Sequence, residues 1–81
     1  MSNSRPISKD NMHKYISLGL NIAFYRKRAG LTQEQLAERA GISRSHLSAI
    51  EAPNTIRPFS LEILFQLAHA LNVPAWNLLQ C

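Results

Sequence analysis

Three histidines, five carboxylates and one cysteine are the side chains that could do acid–base, metal or nucleophile chemistry. His13, His46 and His69 lie far apart in the chain, and none stands at a metal-ligand spacing from Cys81 or from Asp10, Glu34, Glu38, Glu51 or Glu62. The acids form no paired-carboxylate pattern, and no glycine-rich phosphate loop accompanies them. The expectation is no enzyme, no cofactor and no metal site, with His13, His69 and Cys81 having no special role. A different pattern stands out in GISRSHLSAIE, residues 41–51. Arg44, Ser45, Ser48 and Ala49 share one side of a short helix whose other side carries Leu47 and Ile50. Between Glu38 and Glu51 there is no acid at all. A solvated helix face usually alternates Glu with Lys. This one is small, acid-free and armed with a single arginine, whose guanidinium presents its donors as a rigid fork.

The elements that could hold such a face are short helices. From about Lys14 to Ala29, Leu18, Ile22, Tyr25 and Ala29 recur at helical spacing, and Gly30 supplies a stop. A second helix follows in TQEQLAERAG: Thr32 with Gln35 makes a capping box, and Leu36, Ala37 and Ala40 make the buried stripe. Gly41 takes the positive φ that ends it. Ser43 caps a third helix, which stops near Glu51 because Pro53 cannot continue it. APNTIRPF reads as a loop, and Ser60 then caps a fourth helix with Leu61, Leu64, Phe65, Ala68 and Leu71 on its apolar face. Asn72 ends that helix, and Pro74 opens a short fifth, PAWNLL. Nothing alternates with period two. The fold class is all-α, a compact bundle of five short helices over residues 14–81. Residues 1–13, polar and without periodicity, are expected to form a flexible N-terminal arm.

Composition sets the outer bounds. The 81 residues fit one domain, and 46% of them are hydrophobic, enough for a core. No apolar run approaches the ~20 residues that a bilayer requires, and the N-terminus lacks the apolar stretch of a signal peptide. Cys81 has no intrachain partner for a disulfide. A cytoplasmic location with no membrane association is the expectation. The net charge of +4 sits in the first two-thirds of the chain; beyond Ala52 only Arg57 and Glu62 are charged, and they cancel. Such a balance fits nucleic acid or another anionic surface and decides nothing alone.

Two short helices joined by a tight glycine turn decide more, because they form a helix-turn-helix whose second member can enter the DNA major groove. Their crossing requires a small residue at Ala37, a turn residue at Gly41, and apolar inner faces at Leu36, Ala40, Ile42, Leu47 and Ile50. All are present. With RKRAGLTQEQLAERAGISRSHLSAIE, SLEILFQLAHALNV and the following Leu78 and Leu79, the sequence resembles the Cro/C1-type, XRE-like helix-turn-helix transcriptional regulators. The resemblance runs over about residues 18–79 and implies a lambda-repressor-like DNA-binding domain.

It also implies roles. In that family the face bearing Arg44, Ser45, Ser48 and Ala49 lies against base edges, where bulky or acidic groups would block or repel the duplex. Gln33 is similar to the family glutamine that binds a DNA phosphate, at a helix end that itself favours anions. Asn54, Thr55 and Arg57 occupy the stretch that contacts backbone phosphates. Arg26 and Glu51 match an arginine of the first helix and the acid closing the recognition helix, which form a structural ion pair. His46 is read as packing at the core edge rather than touching DNA. The usual ENG after the third helix is here EAP, so the loop leaves that helix differently.

Leu20 and Phe24 fall on the outward side of the first helix, and Trp76 stands where polar residues are frequent. Exposed apolar groups of this kind suggest a partner surface. The expected partners are a double-stranded DNA operator and a second copy of the chain, with no small-molecule effector evident. If instead Ile7 or Met12 folds over the patch, that surface closes. The rival from another class is a protein-interaction module that keeps the helix-turn-helix fold and docks through Leu20, Phe24 and Trp76.

Overall fold

The structure is a computed structural model that describes residues 7–80. Five helices follow in order: α1 (Lys9–Arg28), α2 (Gln33–Ala40), α3 (Arg44–Glu51), α4 (Leu61–Leu71) and α5 (Ala75–Leu78). No strand occurs among the described residues.

The helix ends are set by local chemistry. Ser8, Thr32, Ser43 and Ser60 each accept a hydrogen bond from the backbone N–H three residues on, which satisfies one of the donors that a helix start leaves unpaired. At α2 the capping box is complete: Gln35 N–H donates to Thr32 Oγ1 at 3.1 Å, and Thr32 N–H donates to Gln35 Oε1 at 2.9 Å. Gly41 adopts φ +74°, and Asn72 ends α4 at φ +58°, the left-handed conformation that stops a helix. Pro53 forces the residue before it out of helical geometry. Ala52 accordingly lies at φ −72°, ψ 121° and closes α3.

Two sequence expectations are corrected. Residues 9–13, expected to belong to an arm over residues 1–13, are part of α1. Ser8 caps this helix and Asp10 sits in its first turn, where a negative charge favours a helix start. Apolar spacing missed this turn because KDNMHK is almost wholly polar. Residues 1–6 and Cys81 lie outside the described residues. On α4, Leu61 and Phe65 do not belong to the buried stripe and are 67% and 54% exposed. The stripe is Leu64, Leu67, Ala68 and Leu71. A helix with apolar residues on several sides offers more than one candidate stripe, and packing partners choose among them.

The core draws one fully buried large side chain from every helix: Ile22, Leu36, Leu47, Leu67 and Leu78. Around α2 pack α3 and α4, α1 lies across α3, and α5 closes the bundle between α1 and α4. The Asn21 side chain fixes that closure by donating to the Leu78 carbonyl at 3.0 Å and to the Gln80 carbonyl. The result is a closed bundle that carries the α2–turn–α3 unit.

Candidate nucleic-acid interface

The turn between α2 and α3 is only Gly41, Ile42 and Ser43. Ile42 donates its N–H to the Ala37 carbonyl at 3.0 Å, which folds the chain tightly back over the end of α2. Leu36, Ala37 and Ala40 of α2 face Leu47 and Ile50 of α3 across this junction, all buried. With its inner side consumed by the core, α3 presents the other side outward. Arg44, Ser45 and Ser48 are exposed there, and Ala49 is half-buried beside them. The pairs Arg44–Ser48 and Ser45–Ala49 are each four residues apart, so they form two adjacent rows along the helix. His46 is half-buried.

The other end of α3 is tied to α1 and α2. Glu51 is 7% exposed and is the one buried charged residue among the described residues. Arg26 grips it with a bidentate pair, Nε to Oε2 at 2.8 Å and Nη2 to Oε1 at 3.0 Å. The third guanidinium nitrogen, Nη1, donates to the Leu31 carbonyl at 2.8 Å, so the same side chain also holds the chain entering α2. Gln33 Nε2 donates to Glu51 Oε1 at 3.0 Å. One carboxylate thus gathers α1, α2 and α3. This is the geometry in which a buried ion pair is satisfied rather than costly. It also holds the Gln33 amide in place at the start of α2, where the N–H groups of Gln33 and Glu34 have no intrahelical partner.

Beyond α3 the chain turns sharply, with Thr55 N–H donating to the Ala52 carbonyl at 3.3 Å. Asn54, Thr55 and Arg57 are all exposed in this loop. Among the described residues the only ion pair is Arg26–Glu51, which leaves Arg44 and Arg57 without a carboxylate partner. Also among the described residues, no three of His, Cys, Asp and Glu come together to hold a metal ion.

Leu20 and Phe24 on α1 are 50% and 56% exposed, and Trp76 on α5 is 68% exposed. Met12 is itself exposed, and Leu20 and Phe24 remain open beside the described residues. Phe24 packs edge-on against Tyr25, ring centroids 5.1 Å apart. Sequence reasoning missed three things here. Leu61, Phe65 and Leu79 add to the exposed apolar surface. The Gln33–Glu51 hydrogen bond joins the start of α2 to the ion pair, and nothing in their spacing of 18 residues signals it. Gly19 is buried against α3, whereas its sequence context shows only a glycine inside a helical pattern.

Capped α2, a three-residue turn and an outward small-residue α3 together define a helix-turn-helix protein. The helix-turn-helix family model matches residues 22–75, and the chain belongs to that family in its Cro/C1-type branch. Among curated relatives, the HTH-type transcriptional regulator SinR of Bacillus subtilis is 37% identical over 62 residues, 76% of this chain and 55% of its own length. The chain therefore spans about half the length of SinR. An uncharacterized HTH-type transcriptional regulator, y4dJ of Sinorhizobium fredii, is 39% identical over 56 residues, 69% of this chain and 70% of that protein.

Solved structures agree. The restriction-modification controller protein C.AhdI from Aeromonas hydrophila superposes with a TM-score of 0.76 at 30% identity, over 82% of this chain and 97% of that one. A hypothetical transcription factor from Neisseria, NHTF, gives 0.77 at 28% identity over 98% and 90% of the two chains. SinR, solved as the master regulator for biofilm formation in complex with DNA, gives 0.71 at 36% identity over 78% and 98%.

Proposed function

We propose that this protein is a small transcriptional regulator that binds double-stranded DNA in a sequence-specific manner, with α3 as its recognition helix. The observation that carries the reading is the outward face of α3, where Arg44, Ser45 and Ser48 are exposed, acid-free and unpaired beside a fully consumed inner face. Arg44, Ser45, Ser48 and Ala49 face the base edges, with Arg44 and Ser45 reading them, and Gln33, Asn54, Thr55 and Arg57 hold phosphates. SinR, itself solved bound to DNA, supports the DNA-binding reading. A chain of this kind works in the cytoplasm, and no helix among its described residues is long and apolar enough to cross a membrane.

The protein acts as a homodimer on a two-fold operator, joined through exposed apolar residues outside α3, with Leu20, Phe24 and Trp76 the contacts. Selection of bound sequences from random duplex DNA tests the reading. The expected product is a symmetric pair of half-sites. Retention on generic duplex should fall with salt along a log–log slope near −4 to −5, for roughly five phosphate contacts. The same open apolar residues favour a second reading, a protein-interaction module. No selected sequence and a flat salt response would overturn the DNA reading in its favour.

A further inference from the structure

Gly19 sits in the middle of α1 with ordinary helical φ, a position where glycine is among the least favourable residues. Nothing in the backbone conformation of α1 requires it. A Cβ built on Gly19 falls 2.2 Å from the Ile50 carbonyl oxygen, 3.3 Å from the Ile50 carbonyl carbon and 3.5 Å from Glu51 Cα. All three atoms are backbone of α3, so no rotamer change relieves the clash. The Ile50 carbonyl is one of the last of α3, where helical partners run out.

The contact is one of two holds on the same end of α3. Gly19 and Arg26 lie seven residues apart, two turns along one face of α1. Gly19 sets how closely the α3 backbone approaches, and Arg26 grips the next residue, Glu51. We infer that Gly19 is a positioning residue for DNA recognition: by letting the backbone of α1 touch that of α3, it fixes the pose from which Arg44 reaches the groove. The inference rests on the DNA-binding reading. A Cβ would force the α3 end away by roughly 1 Å, more than the ~0.5 Å within which a recognition constellation must be held. Because Glu51 moves with Ile50, the shift also strains the bidentate Arg26 contact and the Gln33 bond.

The experiment compares wild type, Gly19→Ala and Arg26→Lys on the selected operator and on a random duplex, with folding monitored by circular dichroism. For a folded Gly19→Ala the expected result is at least a tenfold loss on the operator with less than a threefold loss on random duplex. Amide NMR shifts should move at Ile50, Glu51 and Arg44. A role in packing alone would lower both affinities in proportion to the folded fraction. Arg26→Lys keeps the charge and loses the bidentate grip, so it releases the second hold and should lower the operator-to-random ratio in the same direction. If Gly19→Ala does not fold, this second variant tests the premise on which the inference stands, and an unchanged ratio in folded Arg26→Lys overturns the claim that the pose of the α3 end sets recognition. Unchanged ratios in the folded variants overturn the inference alone. A wild-type chain that selects no sequence overturns the DNA reading, and the positioning role with it.

Discussion

Arg44 and Arg57 carry the same guanidinium in different places, and the proposed interface gives them different work. Arg44 is the first residue of α3, flanked by two short serine side chains, so its fork can reach a groove floor without competition. Guanine O6 and N7 present a pair of acceptors in the major groove that matches the two parallel donors. Arg44→Ala should therefore cost about 1–3 kcal/mol on the preferred site and relax preference at one base pair per half-site. Arg57 stands in the loop after α3, among Asn54 and Thr55. Arg57→Ala should weaken all sequences alike and flatten the salt slope by about one unit. Competition titrations on specific and random duplexes measure both. An Arg44→Ala loss equal on the two DNAs would make Arg44 a phosphate clamp. Arg26 and Glu51 belong to the same scale. Removing Arg26 leaves the Glu51 carboxylate buried with Gln33 as its remaining side-chain donor, and Arg26→Ala should destabilise the fold by about 3–5 kcal/mol. Urea denaturation of both single variants and the double variant gives the coupling, and a value indistinguishable from zero would remove the claim that the pair is structural.

At the scale of elements, the turn of the helix-turn-helix depends on one backbone conformation. Gly41 sits at φ +74° with open space where a Cβ would go, so the strain of a substitution is conformational and not steric. Gly41→Ala should cost about 1–2 kcal/mol, and Gly41→Asn less, because Asn tolerates left-handed geometry. Thermal melts of the two variants order them; equal melting temperatures would show that the turn relaxes. These local signals made the elements legible from sequence: Ser and Thr caps, turn glycines, and Asn and Pro at the ends of α4 and α3 act within a few residues of themselves. What was not legible depended on distant partners. The first turn of α1 has a cap but no apolar spacing. The stripe of α4 was ambiguous until α2 and α5 packed against it, and Leu61 and Phe65 fell outside it. Gly19 needs the backbone of α3, 31 residues further on, to explain it. The Gln33–Glu51 bond likewise exists only once three helices have met.

The described residues measure 36 × 26 × 22 Å between their Cα extremes. Half-sites of a two-fold operator repeat at one helical turn, ~34–36 Å centre to centre, so two copies of this size seated on adjacent half-sites come within reach of each other. Each copy carries a charge of +4, and the contact must therefore use surface that does not add to the repulsion. Two such stretches exist. Residues 15–25 hold no charged side chain and include the open Leu20 and Phe24; residues 58–80 hold only Glu62 and include the open Trp76. Burying these residues against a second copy would remove apolar area from water that monomers leave exposed. The expected state is a dimer at tens of micromolar by sedimentation, with cooperative occupation of paired half-sites. Phe24→Glu and Trp76→Glu should shift the protein to monomer while its far-UV circular dichroism spectrum stays helical. A wild-type monomer that binds single half-sites without cooperativity would end the dimer proposal. A dimer that survives both substitutions would instead move the contact to Leu61, Phe65 or Leu79, the remaining open apolar residues of the charge-poor half.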